Sequence, residues 1–178
     1  KCLVYSSSGR THGYIDCTEA LKVSCNYFYY ELADRLDIEQ IDSTAKALGL
    51  GEHTGIELYE AVGYRSNPES KAALYSGDDS RWYKGDQILT GIGQAENRFT
   101  PMQLCTYVAT LANQGVRYKA TFLNRVVTSD YSSVVYENAA SVMSEMAMSD
   151  EAYDAVLTGM KKVASESGGT AYKVFGNY

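Results

Sequence analysis

Between Leu21 and Leu36 the apolar residues Leu21, Cys25, Phe28, Leu32 and Leu36 return at helical spacing, with Ser24-Cys25-Asn26 set inside the run. A chain with this pattern must build helix here, and it must either carry the helix through the serine or break it there. One helix or two would satisfy the periodicity. A break would turn Ser24 and Asn26 out of the helix barrel and leave their polar groups available. Asp16-Cys17-Thr18-Glu19 marks where the helical stretch begins. Asp16 suits the N-cap, and Glu19 can reach back to it.

The rest of the chain is punctuated in the same way. Residues 1–15 read as a short strand, a polar Ser/Gly turn and a return. Ile38, Ile41, Ala45 and Leu48 share one face of an amphipathic helix that Gly49 ends. Residues 49–80 carry little periodicity and are rich in Gly, Ser, Asn and Asp, the mark of a long irregular segment. Gln87–Gln94, containing Ile88-Leu89-Thr90-Gly91-Ile92-Gly93-Gln94, reads as a short strand or extended turn. Thr100-Pro101-Met102-Gln103 opens the best-marked helix, with Thr100 as N-cap, Pro101 in the first turn and Gln103 closing the capping box. Its buried face is expected at Leu104, Val108, Leu111 and Ala112, and Gly115 stops it. Phe122–Thr128 and Val134–Glu137 read as a small β pair around Ser129-Asp130-Tyr131-Ser132. Ser149-Asp150-Glu151 starts a last helix, with Lys161 and Lys162 near its negative end. The expectation is a mainly α (α+β) chain with a few short strands.

Composition narrows the function classes. The 178 residues carry a net charge of −6, which argues against nucleic acid, whose binding needs a basic patch. Hydrophobic residues make up 45%, enough for a sizeable core. No apolar run approaches the roughly 20 residues of a membrane helix. None of Cys2, Cys17, Cys25 and Cys105 forms a Cys-x-x-Cys, so neither a zinc nor a thioredoxin-like reading gains support. No cofactor is expected. Cys105 reads as a small core residue, and Cys2 and Cys17 bracket a turn across which they could pair in an oxidising compartment. His12 and His53 both lie in polar, turn-like stretches and read as surface histidines. The 16 tyrosines suggest broad, partly wet contact surfaces.

Ser-x-Asn carries chemistry because a serine hydroxyl both accepts and donates a proton, while an asparagine amide two residues on can donate to a carbonyl and accept from a lysine. Alone the tripeptide is weak and reads equally well as a pair of caps at a helix junction. Its surroundings add to it. Ala20-Leu21, Ser24-Cys25-Asn26 and Phe28-Tyr29-Tyr30-Glu31-Leu32-Ala33 resemble the segment around the second motif of class B penicillin-binding proteins of the elongation type. Leu48-Gly49-Leu50-Gly51, Thr54-Gly55-Ile56-Glu57-Leu58, Glu60 and Gly63 are similar to the family's next stretch of chain. Gly91-Ile92-Gly93-Gln94, Thr100-Pro101-Met102-Gln103-Leu104 and Leu111-Ala112-Asn113-Gln114-Gly115 fit the family's Gly-Gln and Thr-Pro-Leu-Gln pattern. Gly169-Thr170-Ala171 looks like the Gly-Thr-Ala that precedes its Lys-Thr-Gly.

The resemblance implies the helical subdomain of the penicillin-binding/β-lactamase-like transpeptidase fold, with the central sheet largely missing, and residues 1–178 as part of a transpeptidase domain. It implies a serine D,D-transpeptidase that cross-links peptidoglycan stem peptides, is acylated by β-lactams, works with cell-wall elongation proteins and is membrane-anchored at the extracytoplasmic face, the anchor lying outside these residues. Only Ser24 and Asn26 carry over as catalytic. Ser24 would relay a proton between a lysine and the leaving or incoming amine; Asn26 would hold that lysine and the substrate amide. Gly91–Gln94 would shape the floor beneath them or serve only as a turn.

Two strings imitate the other motifs. Ser43-Thr44-Ala45-Lys46 fits Ser-x-x-Lys, and His53-Thr54-Gly55 resembles Lys-Thr-Gly. In the family the nucleophile motif precedes Ser-x-Asn, whereas Ser43 comes after Ser24. Ser43 also lies opposite the apolar stripe of its helix, and Thr54-Gly55 falls just past a helix end. The chain is therefore expected to be inactive by itself, with an apolar face exposed where the sheet would pack. The alternatives are a non-catalytic module of the same ancestry that binds wall peptides or a partner, and a β-lactamase or β-lactam sensor.

Overall fold

The computed structural model describes residues 2–176 and folds them mainly into helices: α1 (Leu3–Ser8), α2 (Cys17–Lys22), α3 (Asn26–Arg35), α4 (Ile38–Ala47), α5 (Pro68–Leu74), a 3-10 turn (Gly77–Ser80), α6 (Lys84–Thr90), α7 (Pro101–Ala112), α8 (Asp150–Ser165) and α9 (Tyr172–Phe175). Strands β1 (Val116–Tyr118) and β4 (Val142–Glu145) form one antiparallel pair, and β2 (Arg125–Val127) and β3 (Val134–Glu137) another. This is the helix-rich chain with short strands that the sequence predicts. Among the described residues no helix is long and apolar enough to cross a membrane. The described residues form two compact units, one of residues 2–42, 66–97 and 148–176, the other of residues 43–65 and 98–147.

In the first unit α2 lies against α8. Ala20 is fully buried there, and the Thr18 hydroxyl donates to the Ala155 carbonyl at 3.0 Å. Gly159 makes the approach possible, because a Cβ at that position would sit 2.7 Å from Leu21 Cδ1. The second contact sets α6 against α3. A Cβ on Gly91 would come within 2.5 Å of Ala33 Cβ, and the Gln87 amide donates to the carbonyls of Ala33 (2.8 Å) and Leu36 (2.6 Å). The last carbonyls of a helix lack intrahelical partners, so Gln87 caps α3 from a neighbouring helix. Asn67 caps α5, its Oδ1 accepting from Ser70 N–H at 2.7 Å, with Pro68 in the first turn.

The second unit is organised on α7. Thr100 and Gln103 form the predicted capping box, and Gln103 does more than cap. Its side-chain amide, 1% exposed, donates to the carbonyls of Glu52 (2.8 Å) and Val62 (2.7 Å), tying residues 52–62 to the helix. The Arg65 guanidinium donates to Leu50 O (2.9 Å) and pairs with Glu52 (2.8 Å). In β1 and β4, Val116 faces Glu145 and Arg117 faces Ser144.

Several expectations are corrected. The N-terminal strand is instead α1: the Ser7 and Ser8 hydroxyls bond back to the Val4 carbonyl (3.1 and 2.8 Å), and Gly9 closes the helix at φ +69°. Serines that read as a turn serve a helix end here; Lys1, where that expectation began, lies outside the described residues. Gln87–Gln94 is not a strand but the end of α6 and its closing turn, the ambiguity inherent in short apolar runs. Residues 49–80 contain α5 and the 3-10 turn and are irregular only before them. The buried side of α7 is Gln103, Thr106, Thr110 and Leu111, while Leu104 and Val108 are nearly half exposed and Cys105 and Ala112 are exposed. Cys105 is thus no core residue: the helix turns the carbonyl-seeking Gln103 inward and Cys105 outward.

Candidate active site

The break in the first helical run is real and has a definite geometry. α2 ends at Lys22, α3 begins at Asn26, and the three residues between them form a left-handed helix terminus. Cys25 N–H bonds to Ala20 O (2.9 Å) and Ser24 N–H to Leu21 O (3.1 Å), the paired pattern that satisfies the last carbonyls of a helix. The residue that must go left-handed in such a terminus is Ser24, at φ +50°. Glycine is the ordinary occupant, since any Cβ there meets the following carbonyl. Cys25 is 4% exposed and anchors the turn, while Ser24 and Asn26 on either side of it are exposed. Asn26 is the first residue of α3. The structure therefore places the two predicted site residues on either side of one buried cysteine, both exposed where α2 gives way to α3.

Residues to which sequence reasoning gave no role at the site support this turn. Ser24 Oγ lies 3.0 Å from Thr170 Oγ1, and Thr170 N–H donates to the Lys22 carbonyl at 3.1 Å. Lys22 is buried yet paired: its ammonium bonds Glu166 and lies 3.6 Å from Glu19. Lys162 closes the cluster, 2.9 Å from Glu19 and 3.4 Å from Glu166. The hydrogen bond to Glu166 raises the Lys22 pKa against the opposing effect of burial, and the same bond lowers that of Glu166, so both stay charged. The separation of 146 residues between Ser24 and Thr170 explains why no local pattern announced the contact.

The imitating strings hold no such arrangement. Ser43 and Lys46 are exposed on the middle and last turn of α4. Thr54 and Gly55 are not on a strand; their N–H groups and the Thr54 hydroxyl are bound by the Glu60 carboxylate. Burial raises the Glu60 pKa, but these hydrogen bonds outweigh it and the net direction is down. Gly91–Gln94 is the C-terminal turn of α6, closed by Gln94 N–H to Leu89 O (3.1 Å), and it supports α3 through the contact of Gly91 with Ala33.

A second cluster lies behind the turn. The Sγ atoms of Cys2 and Cys25 and a ring nitrogen of His12 lie within 4.8 Å of one another, and Cys2 Sγ is 3.3 Å from His12 Nδ1. Two thiols and an imidazole could hold a soft divalent ion. This corrects two expectations: zinc has a possible ligand set after all, and His12 is half-buried at a thiol rather than on the open surface. Its members come from three separate turns, so a search for Cys-x-x-Cys could not find them. His53 is exposed, in keeping with its polar surroundings in the sequence, 3.8 Å from Glu60. Burial pushes the Cys25 thiol pKa up. The cluster opens on a cavity of about 930 Å³ lined by Tyr5, Tyr14, Phe28 and Leu32 among others. All four cysteines are free thiols, and Cys2 faces Cys25, while Cys17 Sγ sits 4.0 Å from the Tyr29 hydroxyl.

Residues 4–178 match the family model described as the penicillin binding protein transpeptidase domain. The chain is 30% identical over 164 residues to the peptidoglycan D,D-transpeptidase MrdA of Salmonella typhimurium, covering 92% of this chain and 26% of that protein. It superposes on the crystal structure of Pseudomonas aeruginosa PBP2 in complex with WCK 5153 with a TM-score of 0.75 at 26% identity, over 93% of this chain and 36% of that one. The penicillin-binding protein PBP2 of Helicobacter pylori, solved in complex with MreC, is similar with a TM-score of 0.72 at 25% identity, over 91% of this chain and 28% of that one. The chain spans 15–26% of the length of the MrdA relatives it matches.

Proposed function

The chain belongs to the penicillin-binding protein transpeptidase domain family, and on that premise we propose that it forms part of a serine D,D-transpeptidase that cross-links peptidoglycan stem peptides through an acyl-enzyme. The observation that carries this reading is the left-handed Ser24, held with its hydroxyl outward beside Asn26. A β-carbon in that conformation is costly, and such strain collects where function requires a particular side chain. Acyl transfer needs a proton relay to the amine as well as a nucleophile and its base. Ser24 relays the proton between the lysine of a Ser-x-x-Lys outside these residues and the leaving or incoming amine. Asn26 donates to the substrate carbonyl and accepts from that lysine.

Residues 1–178 are, in this reading, a partial transpeptidase domain that supplies the second motif only. The sole Ser-x-x-Lys in the sequence, at Ser43–Lys46, lies exposed in the later turns of α4 rather than at a helix N-terminus, so in this reading the chain by itself forms no acyl-enzyme. The whole protein works at the extracytoplasmic face of the membrane, is acylated by β-lactams, and meets a wall-elongation partner of the kind that the Helicobacter PBP2 meets in MreC.

The test is acylation of the full-length protein by a labelled penicillin, in wild type and in Ser24→Ala and Asn26→Ala variants that retain the wild-type circular dichroism. Loss of a positioned proton relay lowers the acylation rate by about 100-fold or more. Wild-type rates in both variants would contradict the assignment.

A further inference from the structure

We propose that Cys2 and Cys25 are a thiol pair that a low-molecular-weight disulfide converts into a bond, clamping the turn that carries Ser24 and Asn26. Three independent features point there. The two sulfurs lie within 4.8 Å of each other, a gap that a change of side-chain rotamer and a small backbone shift can close to the roughly 2.05 Å of a disulfide. Both thiols line the 930 Å³ cavity but differ in access: Cys2 is half-buried, whereas Cys25 is 4% exposed. Cys2 also belongs to the element better able to move, as the N-cap of the six-residue α1, while Cys25 is fixed between two helices.

This asymmetry sets the order of events. The Cys2 thiolate attacks one sulfur of a small disulfide RS–SR from the cavity, forming Cys2–S–SR and releasing one RS⁻. The Cys25 thiolate then attacks the Cys2 sulfur of the mixed disulfide and expels the second RS⁻. The two protons of the protein thiols leave with the two thiolates as RSH. The protein is oxidised by two electrons and the small disulfide reduced by two. Cys17, beside the Tyr29 hydroxyl, and Cys105, exposed on α7 in the other unit, take no part.

The bond joins the residue before α1 to the residue between Ser24 and Asn26. Local opening of the turn then requires α1 to move with it, so the backbone of residues 23–27 exchanges more slowly. That the clamp bears on catalysis rests on the reading of Ser24 and Asn26 given above; the bond itself does not.

The experiment uses the reduced protein, treated with EDTA so that no bound ion shields the thiols, and then oxidised glutathione. Free thiols are trapped by alkylation, and the digest is mapped by mass spectrometry. The expected product has lost two hydrogens and gives a Cys2–Cys25 cross-linked peptide, in wild type and in a Cys17→Ser/Cys105→Ser variant alike. In Cys2→Ser, the buried Cys25 stays unmodified. Amide exchange of residues 23–27 slows about ten-fold on oxidation. A stable glutathione adduct on Cys2, a Cys2–Cys17 link, dimers through Cys105 alone, or a cross-link without slower exchange would overturn the proposal. None of these outcomes bears on whether Ser24→Ala slows acylation, so the two readings fail separately.

Discussion

Replacing Ser24 separates what the residue costs the fold from what it does for the site. In Ser24→Ala the hydroxyl bond to Thr170 is lost while a β-carbon remains in a left-handed conformation at φ +50°. That hydrogen bond is exposed and contributes about 0.5–1 kcal/mol, so the alanine variant loses about that much. In Ser24→Gly the same bond is lost, but the left-handed conformation, which costs a residue bearing a β-carbon about 1–2 kcal/mol, becomes free of strain. The greater freedom of glycine in the unfolded chain offsets about 0.5–1 kcal/mol of this gain. Glycine should therefore exceed alanine by about 1 kcal/mol, with Ser24→Gly close to wild type. At this chain length that corresponds to roughly 2–4 °C between the two melting midpoints. Urea and thermal unfolding of the three proteins in one buffer give the answer. An alanine variant as stable as the glycine variant, or more so, would refute the claim that Ser24 is held against its backbone preference.

The packing leads to three further expected outcomes. Gln103→Leu leaves the carbonyls of Glu52 and Val62 without their donor in a site 1% exposed, and should cost about 2–4 kcal/mol by denaturant unfolding. Gly159→Ala, which would favour an isolated helix by about 1 kcal/mol, should instead destabilise by about 1–3 kcal/mol because the new methyl meets Leu21 at 2.7 Å; a stabilised variant would show that α2 does not lie on α8. The Glu60 carboxyl is depressed by its bonds to Thr54 and Gly55, so its contribution is complete above the ordinary glutamate range near 4.3 and is lost as pH falls through the lower folded value. Glu60→Gln should remove that part of the acid sensitivity in a pH series of unfolding midpoints, and an unchanged profile would count against those bonds.

How much of the fold could be read from the chain depends on the range of the interactions. Helix ends signalled by nearby residues, such as Asp16 with Glu19, Thr100 with Gln103 and Ser149 before α8, lie where the sequence puts them because a cap is a contact within one turn. The break at Ser24–Asn26 was legible only as one of two alternatives, because the apolar spacing fits one helix as well as two, and the paired bonds of Ser24 and Cys25 to Leu21 and Ala20 decide for the break. Distant partners decided the rest. Which face of α7 is buried was settled by carbonyls 41 and 51 residues from Gln103, against the apolar pattern of the helix. Thr170 reaches Ser24 from the far end of the chain, and Cys2, His12 and Cys25 meet from three separate turns. Polar contacts at long range leave no periodicity behind them, so the residues around the candidate site stayed hidden while the Ser24-Cys25-Asn26 tripeptide was visible.

Ser24 and Asn26, in the function proposed above, belong to a penicillin-reactive site whose nucleophile is not among these residues. The most direct test is the intact mass of the folded 178-residue chain after incubation with a reactive penicillin, with peptide mapping of the product. The expected result is no added mass on a chain whose folding is confirmed by circular dichroism. A penicilloyl adduct on Ser43 would make Ser43–Lys46 a working active site and contradict the assignment.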